Sequence, residues 1–145
     1  MTLHILKLCV GCDSVDDLVE WQAGRAAERR AAGEDPRPFH VTRMWPKREP
    51  EVVAGGSLYW VIKGFVLVRQ RILGLERRDG GDGIARCAIQ LDPEAVRTLP
   101  QPRRAFQGWR YLRPEDAPRD LGAAAAQAVE MPPRLVAGLA EMGVL

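Results

Sequence analysis

The feature that most constrains the fold is a pair of strand-like segments that meet at Lys63 and Gly64. The first, Ser57–Lys63, reads SLYWVIK and is rich in the aromatic and β-branched residues that favour strands. The second runs from Phe65 to Glu76, which is long for one flat strand, and Gly74 near its end suits a bulge or a sharp bend. The pair predicts a β-hairpin in a sheet that curls.

A strand and a helix are predicted before this hairpin. Leu3–Val10 is an apolar run short enough to be a strand buried on both faces. Ser14, with Asp17 three residues later, forms an N-terminal cap of the capping-box type. The helix that begins there is expected to stop near Gly33.

Further strands are predicted around and after the hairpin. Phe39–Met44 and Ile84–Leu91 have strand composition, and Phe106–Leu112 is expected to be a last strand or an ordered loop. Asp92 and Pro93 predict a short helical turn, after which the chain is expected to stay extended. Consecutive strands joined by short turns favour antiparallel pairing, so the predicted fold class is α+β, with a small curled antiparallel sheet or barrel, one helix after the first strand and C-terminal helices.

The composition changes near the end of the chain. Ala123–Ala126 is a helix-prone alanine block, and Arg134–Met142 resumes apolar residues at helical spacing. We therefore expect a barrel domain over residues 1–118 and a helical appendage over residues 119–145, packed on the same domain.

Composition excludes several classes of protein. A chain of 145 residues has room for one core, and its 46% hydrophobic and 28% charged residues are typical of a globular protein rather than a disordered or membrane-spanning one. The net charge of +2 excludes a histone-like protein. The three cysteines and the absence of a signal-like N-terminal stretch predict a cytoplasmic protein.

Positive charge and aromatic residues coincide in two parts of the chain. Arg37–Arg71 contains seven Lys or Arg against two acids, and Arg97–Arg113 contains five Arg and no acid. Guanidinium groups bind phosphate and flat rings stack on bases, so this mixture predicts a surface for RNA or a modified nucleotide. The predicted nucleotide-binding residues are Arg43, Trp45, Lys47, Arg48, Tyr59, Lys63, Arg69, Arg71, Arg103, Arg104, Trp109 and Arg110.

The same residues also allow a simpler interpretation, in which solvated charges surround buried rings. Arg69 and Arg71 share a face of their strand with apolar residues, where a guanidinium group needs an acidic partner or a bound anion. They are expected either to pair internally, with Glu76 or Asp92 as candidates, or to line an anion pocket.

Cys9 and Cys12 form a CxxC motif between the first strand and the first helix. A redox site would need a stabilised thiolate, which the acids at Asp13, Asp16 and Asp17 oppose. A zinc site could use Cys87 and a histidine, but a second ligand pair at finger spacing is missing. No metal and no cofactor are expected.

The chain carries two resemblances to known families. The first rests on the motifs KLCVGCDS, TRMWPKR, GGSLYWVIKG, RQRILGLE and RRAFQGWRYLRPEDAP. With them the chain resembles, from Leu3 to about Pro118, a family of short proteins known chiefly from alphaproteobacteria that carries no known activity. In outline, Thr42–Arg43, the Gly55–Gly56 turn and Tyr59–Trp60 also resemble the PUA-like barrels, including the ASCH and EVE domains. That resemblance implies binding of RNA or modified bases.

Three functions remain open on sequence alone. The leading hypothesis is RNA or modified-nucleotide binding. A small hydrolase acting on a modified nucleoside would use Thr42 and Lys63, although no Lys stands shortly before Thr42 as the hydrolytic ASCH pattern has it. A protein-interaction module would dock the tail Ala123–Leu145 on a partner or on a second copy of the chain, forming a homodimer.

Overall fold

The computed structural model describes residues 2–79 and 81–122. Within these ranges the chain forms seven β-strands, two α-helices and one 3-10 turn. In chain order they are β1 (His4–Leu8), α1 (Val15–Ala31), β2 (Phe39–Thr42), α2 (Glu49–Val53), β3 (Ser57–Ile62), β4 (Phe65–Asp79), β5 (Ala85–Leu91), β6 (Val96–Pro102), β7 (Trp109–Leu112) and the 3-10 turn (Pro114–Asp116).

The strands form one mixed sheet in the order β2-β5-β4-β3-β1-β7, with β6 paired to β4 off this path. β1 and β3 run parallel, and the other paired strands are antiparallel. The expectation of a wholly antiparallel sheet is therefore wrong at this pair. The reason is the long connection through α1, β2 and α2, which returns the chain to the end of the sheet where β1 began.

The length of β4 produces the curl of the sheet. Its first half pairs with β3 on one side and β6 on the other, and its second half pairs with β5. The register shifts between Ile72 and Gly74, where the sequence predicts a bulge. The result is an α+β-like architecture in which a strongly curled sheet forms half a barrel.

The predicted hairpin joins β3 to β4. Lys63 and Gly64 both have left-handed backbone conformations, with φ of 49° and 84°. Two consecutive left-handed residues are the signature of the tight turn whose twist matches that of paired strands.

The start of α1 follows from its cap. The Ser14 hydroxyl accepts a hydrogen bond from the Asp17 backbone N–H at 3.1 Å, and the Asp17 carboxylate accepts one from the Asp13 N–H at 2.9 Å. The helix ends at Ala31, and Gly33 beyond it has φ 74°. Val15 and Leu18 are buried, and they pack the first turns of α1 on the sheet.

Three local expectations differ from the structure. The Pro-containing stretch from Trp45 to Pro50 is expected to be a loop, but its last residues begin the short helix Glu49–Val53, and Val96–Pro102 form β6 where only extended chain is predicted. The helical turn predicted at Asp92–Pro93 is absent, because the Asp92 carboxylate accepts a hydrogen bond from the Glu94 N–H and forms an Asx turn instead.

The core lies on both faces of the sheet. One cluster joins Ile5, Leu58 and Trp60 to Leu18 of α1, and the other contains Leu6, Val61 and their neighbours. Phe106 and Ala117 cover the second cluster. The predicted C-terminal helices and most of the predicted appendage lie outside the described residues.

No helix within residues 2–79 and 81–122 combines the length and the hydropathy of a membrane-spanning segment.

Candidate nucleic-acid interface

A basic cleft lies where the chain passes from β6 to β7. Its volume is about 680 Å³, and its lining includes Arg103, Arg104, Phe106, Arg110 and Arg113. The Arg103 backbone N–H donates to the Gly64 carbonyl at 2.8 Å, which attaches the start of this loop to the β3–β4 turn. We call this site the arginine cleft.

Three of the arginines in the arginine cleft have no acidic partner in the described part of the chain. No Asp or Glu oxygen there lies within 4.0 Å of the guanidinium groups of Arg103, Arg104 or Arg110. Arg113 differs, because its Nε lies 3.0 Å from Asp116 and 3.2 Å from Glu115, and these acids raise the pKa of Arg113. Among residues 2–79 and 81–122, the arginine cleft therefore presents three positive charges that no acid neutralises.

An aromatic ring accompanies these charges. The guanidinium carbon of Arg110 lies 5.5 Å from the centre of the Phe106 ring, within cation–π range. Phe106 is half-buried against Leu6 and Leu112. Phe106 is not among the twelve residues predicted from the sequence, although its position in the acid-free run between Arg104 and Arg110 is the signal that identifies it.

A second basic pocket, of about 420 Å³, lies nearby and is lined by His4, Tyr59, Arg69, Arg71 and Asp120 among others. Arg69 donates from Nε and one terminal nitrogen to the two oxygens of Asp120, at 2.7 and 2.6 Å. This hydrogen-bonded pair raises the pKa of Arg69 and lowers the pKa of Asp120. Arg69 thus pairs internally, with Asp120 rather than with Glu76 or Asp92, whereas Arg71 is exposed at the pocket.

The two concavities open on the same face of the sheet. Leu6 lies opposite Arg110 on one neighbouring strand and opposite Tyr59 on the other, so these side chains share a face. The 3-10 turn Pro114–Asp116 contributes Asp116 to the arginine cleft and Pro114 to the second pocket. The turn therefore separates two adjacent basic depressions.

Tyr59 and Trp109 are packed rather than open. Tyr59 is 5% exposed, its ring lies edge-on to His4 at 5.0 Å, and burial raises its pKa. Trp109 is 6% exposed and its indole N–H donates to the Met44 carbonyl at 2.9 Å. Neither ring offers a free flat surface for stacking.

Another group of predicted residues lies apart from the arginine cleft, in the loop between β2 and α2. Arg43 and Lys47 are exposed there, and the Trp45 indole donates to Glu49 at 3.1 Å. Arg48 pairs with Glu51, and its backbone N–H donates to the Tyr111 hydroxyl at 3.1 Å.

This loop group meets the face of β7 that carries Trp109 and Tyr111, opposite to Arg110. Lys63 lies elsewhere, at the hairpin tip, 3.6 Å from Asp13. The twelve predicted residues therefore divide among several places: Arg103, Arg104 and Arg110 share the arginine cleft, and Tyr59, Arg69 and Arg71 share the second pocket.

The CxxC cysteines lie near the start of α1, and Cys9, Cys12 and Cys87 are free thiols. Burial, followed by the neighbouring Cys12, raises the pKa of Cys9 far above its usual range, which disfavours the thiolate a redox site needs. Within the described ranges no group of three or more His, Cys, Asp or Glu side chains is arranged to hold a metal ion.

The groups assigned to the hydrolase hypothesis make other contacts. The Thr42 hydroxyl accepts a hydrogen bond from the Met44 N–H at 3.3 Å, and the Lys63 ammonium faces Asp13. Neither contact joins the two residues to each other.

The fold and the arginine cleft define an α+β protein built on a curled mixed sheet, with a basic depression on the face turned away from α1. Residues 5–145 match the family described as Protein of unknown function (DUF1489), and the chain belongs to that family. Comparison with curated proteins and with solved structures gave no match.

Proposed function

We propose that this protein binds single-stranded RNA through the arginine cleft. The observation that carries the proposal is the convergence of Arg103, Arg104 and Arg110 in one open depression without acidic partners among the described residues. Three guanidinium groups at one site attract phosphate oxygens, and each can make two parallel hydrogen bonds to a phosphate.

The shape of the surface favours a strand over an isolated phosphate. The second pocket, with the exposed Arg71, lies beside the arginine cleft on the other side of the 3-10 turn. A flexible single strand follows such a row of charges, and a base can stack on Phe106 beside Arg110. The PUA-like resemblance in outline also implies RNA or a modified base as the ligand.

The test is fluorescence anisotropy with a labelled 12-nucleotide oligouridylate. Three phosphate contacts to a single strand predict that affinity falls about 10- to 20-fold between 50 and 200 mM salt. The triple variant Arg103→Gln, Arg104→Gln, Arg110→Gln is expected to weaken binding at least about tenfold at 50 mM salt.

The matched control removes the same charge elsewhere, with Arg25→Gln, Arg30→Gln and Arg77→Gln, all exposed and outside the cleft. It is expected to change affinity less than about threefold. Equal losses in the two triple variants would mean that binding follows net charge alone, and no binding by the wild type at low salt would end the proposal.

A further inference from the structure

A separate cavity of about 330 Å³ lies on the opposite face of the sheet, between α1 and the ends of β1, β2 and β3. Its walls include Lys7, Cys9, Trp21, Phe39, His40 and Trp60. The volume falls within the range of pockets that hold small molecules. We call it the α1 pocket.

The α1 pocket has a prearranged aromatic wall. The Trp60 indole N–H donates to the Gln70 side-chain oxygen at 2.9 Å, and the Gln70 amide donates to Gln22 at 2.7 Å and to the Asp92 carbonyl at 3.1 Å. The His40 ring lies edge-on to Trp60, with 5.7 Å between the ring centres. A wall held in this way loses little conformational freedom when a ligand binds.

The charge in the α1 pocket is a lysine. Lys7 lies opposite Trp60 in the β1–β3 pair and is half-buried. Its ammonium donates to the Leu8 carbonyl at 3.4 Å, and no carboxylate of the described residues lies within 4.0 Å of it.

The other titratable groups of the lining leave this charge in place. Burial, and then the charge of Lys7, lower the pKa of His40 to about 4, so His40 is neutral at pH 7. Burial raises the pKa of Cys9, which therefore stays a thiol. The Asp17 carboxylate already accepts the Asp13 N–H.

We propose that the α1 pocket binds a small planar aromatic anion, with its ring against the exposed Trp21 indole beside Trp60 and its acidic group at the Lys7 ammonium. The rings supply apolar contact to a flat molecule, and the half-buried cation supplies the counter-charge. This site is independent of the arginine cleft, because Lys7 and Arg110 lie on opposite faces of the sheet.

The test uses 2-naphthoate and its uncharged analogue 2-naphthalenemethanol, titrated into the full chain and followed by the indole N–H signals in heteronuclear NMR spectra. Saturable binding of 2-naphthoate is expected, with shifts at Trp60 and Trp21 larger than those at Trp45 and Trp109. The neutral analogue is expected to bind at least tenfold more weakly.

Lys7→Met is expected to weaken 2-naphthoate binding at least tenfold while changing binding of the neutral analogue less than twofold, and a thermal melt checks that the variant is folded. Lys47→Met, an exposed lysine outside the α1 pocket, is the matched control and should bind like the wild type. Equal affinity for the two probes, an unchanged Lys7→Met variant, or no saturable binding would overturn the proposal. The triple arginine variant of the cleft should still bind 2-naphthoate, which separates this result from the RNA experiment.

Discussion

At the scale of single residues, Gly56 occupies a position where any side chain larger than hydrogen would collide with the backbone. An added Cβ there would lie 2.2 Å from the Val52 carbonyl oxygen and 2.3 Å from the Leu3 carbonyl oxygen. Both neighbours are backbone atoms, so neither can move aside cheaply. The Gly55–Gly56 pair predicts a tight turn, whereas the close approach of the Leu3 carbonyl, just before β1, comes from a distant part of the chain.

We predict that Gly56→Ala destabilises the fold by about 3 kcal/mol or more, because the new methyl group overlaps two carbonyl oxygens. The matched control is Gly24→Ala, at an exposed position of α1 where a Cβ meets no atom within 4 Å. That change should instead stabilise the protein by about 0.5–1 kcal/mol. Urea unfolding of the two variants gives the comparison, and similar losses in both would contradict the prediction.

His40 predicts how stability depends on pH. Its pKa in the folded protein is about 4, against about 6.5 when unfolded, because burial and Lys7 disfavour the charged ring. The unfolded chain therefore binds more protons between these values, so stability is full above about pH 6.5 and falls as the pH drops toward 4. The pKa of His4 is also lowered by burial, and it adds to the same trend.

We predict that His40→Gln makes the loss of unfolding free energy between pH 6.5 and 4 shallower than in the wild type, by roughly 2–3 kcal/mol at most. Urea titrations at four pH values across this window measure it. His4→Gln is the comparison, because His4 lies on the other face of the sheet and has the smaller shift. Parallel pH curves for the wild type and His40→Gln would show that His40 is not the titrating group.

At the scale of elements, the β3–β4 hairpin depends on a turn whose first residue, Lys63, is not well suited to the backbone conformation that the turn requires. Lys63 holds φ 49°, a left-handed conformation in which a lysine is strained and an asparagine is well tolerated. The Lys63–Asp13 ion pair is exposed at both ends, so losing it costs little.

We predict that Lys63→Asn raises the free energy of unfolding by about 0.5–1 kcal/mol, because it relieves the left-handed strain at the first turn position. Thermal and urea unfolding measure the change. Lys47→Asn, a loop lysine without positive φ, is the control and should leave stability within about 0.5 kcal/mol of the wild type. A destabilised Lys63→Asn would mean that the pair with Asp13 outweighs the strain.

At the scale of the whole molecule, the Arg69–Asp120 pair joins distant parts of the chain and neutralises one of the charges of the second pocket. Thr98 and Asp120 form an isolated bridge, and the Leu121 N–H donates to the Arg97 carbonyl at 2.8 Å. The segment Asp120–Leu121 therefore lies against β6, and the Asp120 carboxylate neutralises Arg69 in the second pocket. The proposed RNA surface consequently depends on this segment.

We predict that Asp120→Asn strengthens binding of the oligouridylate severalfold and makes its salt dependence steeper by about 0.7 in the logarithmic slope, because Arg69 becomes one additional free cation. Glu28→Gln, which removes an exposed acid on α1, is the control and should leave the slope unchanged. A thermal melt is expected to show a small loss of stability in Asp120→Asn. An unchanged slope in the folded variant would show that the second pocket does not contact RNA.

Much of the local architecture can be predicted from the sequence. The turn at Lys63 and Gly64, the cap at Ser14 and the bulge near Gly74 each depend on residues adjacent in sequence, so their signals are local. β6 is not predicted because its prolines mask a strand whose partner, β4, lies some thirty residues earlier. The parallel β1–β3 pair is not predicted because chain direction depends on the path of a connection rather than on strand composition.

Composition and pattern were sufficient to predict an α+β chain with a curled sheet, and they identified Arg97–Arg113 as an arginine-rich, acid-free segment. Both signals are local, because strand propensity and charge are properties of short segments. Which arginines meet was settled by pairings between residues far apart, such as Leu6 with Arg110 and Arg69 with Asp120. The same pairings buried Tyr59 and Trp109 and left Phe106 beside Arg110. A guanidinium group carries the same charge wherever it lies, and only its three-dimensional neighbours decide whether that charge is neutralised or available.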